Sequence, residues 1–158
     1  MRVRIVVALV AASALTAFAP APIPRPRRGS EEGINLAKFQ GEWRSLGLQV
    51  IGVNGEKSTI NWGVTSIKVV GAQWTFMFGD QKNAEYVLVI DGSKRPATID
   101  FYSGTKREQS ATPYMVGLIK REGNRVTILY FSTTADKRAT SFESPPQGWW
   151  LLTLEKMG

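Results

Sequence analysis

Asp91, which ends the stretch "AEYVLVID", and Asp100, inside "ATIDFYS", are the carboxylates with the clearest chemical potential. Two carboxyl groups held roughly 5 to 10 Å apart could cleave a glycosidic bond, one as acid and the other as base or nucleophile. A structural reading competes. Asp91 precedes Gly92, and an Asp-Gly pair forms turns in which the carboxylate hydrogen-bonds its own backbone. Asp100 sits beside Ile99 and therefore on the opposite face of a strand, turned to solvent or capping a neighbour. These positions favour the structural reading, and no catalysis is expected.

The rest of the chemical inventory is narrow. The 158 residues include no histidine and no cysteine, which removes Ser-His-Asp and Cys-His catalysis, disulfides, an acylated cysteine anchor and nearly every zinc site with N or S ligands. No G-x-x-x-x-G-K-[ST] motif precedes a helix, so Gly79, Gly92 and Gly123 read as hairpin glycines and not as a phosphate cradle. No cofactor or metal is expected.

Aromatic residues offer a different chemistry, the binding of apolar surface. Trp74, Phe76, Tyr86, Phe101 and Tyr130 recur in short apolar runs, and Trp43 stands in "FQGEWRS" two residues after Gly41. Whether Trp43 touches a ligand or holds the fold shut depends on the elements around it.

Those elements begin after an export-like segment. Arg2 and Arg4 lead into an apolar run from Ile5 to Phe18 and then Ala17-Phe18-Ala19, the order of a signal peptide. The expected organisation is a signal peptide over 1–21, a Pro/Arg-rich linker over 22–33 and one domain over 34–158. Pro20 follows the small-residue site directly and obstructs peptidase, so cleavage there competes with retention as a tether. Export to the periplasm or medium is expected in either case. Proline fixes φ and withholds backbone donors, so "PAPIPRPRR" should be an extended spacer. Its Arg25, Arg27 and Arg28 are either a solvated linker or an arm for an anionic envelope surface. Without Arg2 and Arg4, 18 cations face 13 anions. They are scattered along the chain and not arranged as a stripe among aromatics, so no nucleic-acid partner is expected, and the protein is expected to be monomeric.

From residue 34 the pattern changes. "INLAKFQG" fits one helical turn, with Asn35 as cap and Leu36 and Phe39 on one side. Eight extended runs follow: "EWRSLGLQVIG", "SIKVVG", "WTFMFG", "AEYVLVI", "ATIDFYS", "YMVGLIKRE", "RVTILYFS" and "GWWLLTLEK". Tight turns such as Asn54-Gly55, Asp91-Gly92 and Gly123-Asn124 separate many of them. Eight short strands without a long helix predict an all-β fold, an eight-stranded antiparallel up-and-down barrel preceded by a short helical turn, with a sandwich as the other solution. Closure removes edge strands, and a barrel of this size is either filled by side chains or holds one small ligand. Ile67 and Val69, Trp74 to Phe78, Tyr86 to Ile90, Ile99 and Phe101, and Val126 to Tyr130 alternate with period two, giving an inward set. By the same alternation Trp149 and Trp150 point to opposite sides of the wall.

The helical turn followed by Gly41-x-Trp43 resembles the lipocalin signature. The closer similarity is to a lipocalin-like (calycin) domain family of secreted bacterial proteins of unknown function. It spans Leu36 to Lys156 and rests on "FQGEW", the Asn54-Gly55 turn, "KRPATIDFY", "REGNRVTILYF" and "RATSF". Family members often carry a cysteine near Leu129 and a proline at Ala139, and this chain departs from both. The resemblance implies that Gly41 and Trp43 plug the closed end and that a cation from the last strand, matched by Lys156, packs across the indole. It also implies a calyx lined by Trp74, Phe76, Tyr86, Phe101 and Tyr130 that takes a small apolar or amphipathic ligand. The alternative is a filled barrel acting as an envelope-associated interaction module.

Overall fold

A computed structural model describes residues 34–106, 111–132 and 138–158. The expected signal peptide, the linker and its Arg25, Arg27 and Arg28 lie outside the described residues.

A 3-10 turn, Ala37–Phe39, opens the fold; the Asn35 side chain accepts the Lys38 N–H at 3.0 Å, and Phe39 is fully buried. Nine strands follow: β1 (Gly41–Ile51), β2 (Lys57–Ile60), β3 (Ser66–Val70), β4 (Gln73–Phe78), β5 (Gln81–Asp91), β6 (Ala97–Ser103), β7 (Met115–Glu122), β8 (Arg125–Ser132) and β9 (Trp150–Lys156). From β3 onward each pairs antiparallel with the next, and β9 returns to β1 from Trp43↔Lys156 to Val50↔Trp150. The sheet is therefore a closed eight-strand antiparallel barrel, in which β2 and β3 together fill one wall position. β2 pairs with the second half of β1 and β3 with the first, and Ser45 N–H donates to Thr65 O at 3.0 Å between them.

β2 is the strand the pattern of apolar runs does not disclose. "KSTI" has one apolar residue in four and is mostly exposed, so no alternation marks it. β1 also shifts register between Ser45 and Gly47. The extra residue lets Trp43 and Leu48 both join the inner core despite their odd spacing.

The inner core runs the length of the barrel, from Phe39, Trp43, Ile67 and Leu154 to Phe76 and Met115. A second apolar layer lies on the outer wall. Val116, Leu118 and Leu129 face outward there, beneath Ala139, Phe142 and Trp149. Trp149 and Trp150 thus part as strand alternation requires: Trp149 is buried in the outer layer, while Trp150 packs against the inner Tyr130.

Candidate functional site

The barrel has one end tied shut. Trp43 Nε1–H donates to Phe39 O at 3.0 Å, and the two rings lie 4.9 Å apart. Two cations cover the same indole: Lys156 Nζ lies 5.5 Å from the ring centroid and Arg121 Cζ 5.9 Å. Each also satisfies a backbone carbonyl of the helical turn, Lys156 that of Gln40 at 3.0 Å and Arg121 that of Lys38 at 2.9 Å. The Gln40 amide completes the closure, donating to Gly71 O at 2.8 Å and accepting from Gly71 N at 2.7 Å. Gly41 adopts φ +109° beside the Lys156 stem, a conformation that glycine tolerates and bulkier residues do not. Arg121 was not singled out from the sequence, because its place at the indole depends on which end of the barrel the β7–β8 turn reaches.

Above this plug the interior is packed. Trp74 touches Phe39, Phe76 and Phe101, with centroids 5.3 to 5.7 Å apart, and neither Trp74 nor Phe101 is more than 1% exposed. These two expected lining residues form a floor and do not face a cavity. The Trp74 indole N–H is buried there without a hydrogen-bond partner.

The opposite end is open. A cavity of about 210 Å³ is lined by Trp62, Phe76, Phe78, Tyr86, Tyr114 and Tyr130, with Trp150, Met115 and the small polar residues Asn83 and Ser132 also contributing. Phe76, Tyr86 and Tyr130 thus meet at one site, as the shared parity of their strands requires. Trp62, Phe78, Tyr114 and Trp150 complete it. Trp62 stands on the connection between β2 and β3 and meets Phe76 edge-on at 5.4 Å. Tyr114 stacks on Tyr86 at 5.7 Å and 19°. Trp62 is unreadable as a lining residue without the split strand, and Tyr114 reads as the start of a strand.

Gly117 makes room for one wall. It faces Tyr130 across the β7–β8 pair, and a Cβ placed on it would stand 2.4 Å from Leu129 O and 2.9 Å from Tyr130 Cβ. Burial pushes the Tyr130 phenol well above its ordinary pKa, and the neighbouring Tyr86 adds to the shift; burial likewise raises Tyr86, with Tyr114 contributing. The Tyr130 and Tyr86 phenols are therefore neutral near pH 7, able both to donate and to accept.

A larger groove of about 480 Å³ follows the outside of the β2–β3 connection, sharing Trp62 and Val64 with the cavity. It is open to solvent and mostly lined by backbone and small side chains, so it offers a ligand little enclosure.

The carboxylates are occupied elsewhere. Asp91 accepts the Ser93 N–H at 3.0 Å and its hydroxyl as well, and these bonds lower its pKa. Asp100 pairs with Arg138, which also donates to Gly117 O at 2.9 Å. One carboxylate holds a turn and the other holds the covering segment of the outer layer.

Comparison with models of known families, with curated proteins and with solved structures finds no match to this chain.

Proposed function

We propose that this protein is an exported, lipocalin-like carrier that binds one small apolar or amphipathic molecule at the open end of its barrel and performs no catalysis. The observation that supports the reading is the aromatic cavity facing a sealed opposite end. Rings from the β2–β3 connection and from strands on several sides of the barrel converge there. A cavity filled by the protein's own side chains would leave no such space. Its volume is below the ~300 Å³ of sites for drug-sized ligands, so a single ring or a short acyl segment is the matching size. A one-ring ligand has roughly 200 Å² of apolar surface, worth on the order of 5 kcal/mol at 25 cal/mol per Å² before the costs of association.

The test is titration of the full chain with toluene. Saturable one-to-one perturbation of tryptophan emission, with Trp62 and Trp150 at the cavity, supports the reading. Absence of any change in emission or in the resonances of the lining residues overturns it in favour of an interaction module. Export is checked separately by fractionation, where a cytosolic product with Met1 intact would refute it.

A further inference from the structure

We propose that the open-end cavity selects an uncharged, ring-sized molecule bearing one polar group that hydrogen-bonds the Tyr130 hydroxyl, and that it discriminates against carboxylates of equal size. This rests on the carrier reading above.

Among the described residues that line the cavity, none carries a charge. A carboxylate drawn inside would lose hydration with no lysine or arginine among these residues to compensate, and burial of an unpaired charge is strongly unfavourable. A neutral polar group faces a smaller penalty, and one that can be met.

Tyr130 is placed to meet it. The residue is only 2% exposed, yet it lines the cavity, and no group among the described residues hydrogen-bonds its hydroxyl. Buried hydroxyls are nearly always bonded, to protein, water or ligand. The hydroxyl is not sealed into the packed core, where the Trp74 indole is the unpartnered buried group. Among the described residues nothing meets it, and a molecule in the cavity can supply the partner. Gly117 opposite it fixes the ring's position on the wall, because a larger residue there would collide with β8. Asn83 and Ser132 lie on the same lining and offer further neutral hydrogen-bonding groups.

Aromatic faces also attract cations, so a methylated ammonium is the competing class. The chain's net charge of +7 opposes it at long range, and no acid is among the described lining residues.

The experiment compares toluene, benzyl alcohol, benzoate and benzyltrimethylammonium on the full chain, with affinities taken from resonance shifts of the lining residues. Benzyl alcohol is expected to bind at least about tenfold more tightly than benzoate. Tyr130→Phe should weaken benzyl alcohol about 3- to 10-fold, the usual worth of one hydrogen bond, and leave toluene unchanged. Benzoate or benzyltrimethylammonium binding as tightly as benzyl alcohol overturns the proposal, as does a Tyr130→Phe variant that weakens all probes equally. The ranking of probes needs only the unaltered protein, so it decides even where the variant folds poorly. If toluene binds but the ranking fails, the carrier reading stands and this inference falls. If no probe binds, both fall.

Discussion

The indole N–H of Trp43 donates to the carbonyl of Phe39 at 3.0 Å, so the first barrel strand is bonded to the helical turn that closes its end. Trp43→Ala removes the bond, the ring contact with Phe39 and the surface on which Lys156 and Arg121 rest. A loss of about 3 to 5 kcal/mol is expected in chemical denaturation. An unchanged midpoint with weakened ligand binding would instead make Trp43 a ligand contact.

Trp43 and Trp74 are both fully buried but differ at one atom, for the Trp43 N–H is bonded and the Trp74 N–H is not. Trp43→Phe strands the Phe39 carbonyl, whereas Trp74→Phe removes a stranded donor. Both lose ring volume. Trp43→Phe should therefore be the more destabilising by about 1 to 2 kcal/mol, as read from paired urea unfolding curves.

Charge substitution should separate floor from wall. Phe101 is 1% exposed beneath the cavity, and Phe101→Asp would bury an unpaired carboxylate in a dry core and unfold the domain. Phe76 borders the cavity near its open mouth, so Phe76→Asp should cost less stability than Phe101→Asp and lose toluene binding. Circular dichroism and the toluene titration distinguish the outcomes. Equal unfolding of both variants would show that the cavity gives no access to water.

Alkaline pH tests the burial of Tyr130. Its folded pKa is raised above the unfolded value of about 10, so the unfolded chain loses this proton first. The stability it contributes is complete below pH 10 and is lost as pH rises from there toward the folded pKa. The slope is up to about 1.4 kcal/mol per pH unit. Tyr130→Phe should flatten the decline measured between pH 9 and 11, leaving a smaller part from Tyr86.

Arg138 clasps the covering segment to the wall through Asp100 and the carbonyls of Gly117 and Ile99. Arg138→Ala should cost about 1 to 2 kcal/mol and expose Trp149 to acrylamide quenching, because the segment above Val116, Leu118 and Leu129 loses its charged anchor. Asp100→Asn keeps an acceptor and should cost less.

Much of the barrel was legible because inward residues in five strands keep strict period two, as Ile99 and Phe101 or Val126, Ile128 and Tyr130 do. The contact of Lys156 with the Trp43 ring matches what the resemblance at Gly41-x-Trp43 implies, and no residue pattern alone discloses it. Three features were not legible. Lys57–Ile60 carries no apolar signal, so the split wall and the placement of Trp62 stayed hidden. The register shift at Ser45 and Gly47 changes which parity faces inward, and Gly47 alone hints at it. The depth at which packing stops and space begins depends on how rings from opposite strands interlock. Parity therefore gathered Trp74 and Phe101 with Phe76, Tyr86 and Tyr130 but could not say that the first two lie below the cavity.

The split second wall leaves β2 with a neighbour on one side only, since β1 is its single partner. That row of four residues is a free margin of the described sheet. It is brief, it bears Lys57, and the Asn54-Gly55 turn bounds it, so a second copy would find few amides to pair with and a charge to bury. Concentrated solutions should consequently resist the growth of cross-β fibrils that long bare edges seed, and a substitution that lengthens or neutralises this margin, such as Lys57→Val, is where that resistance should first be lost.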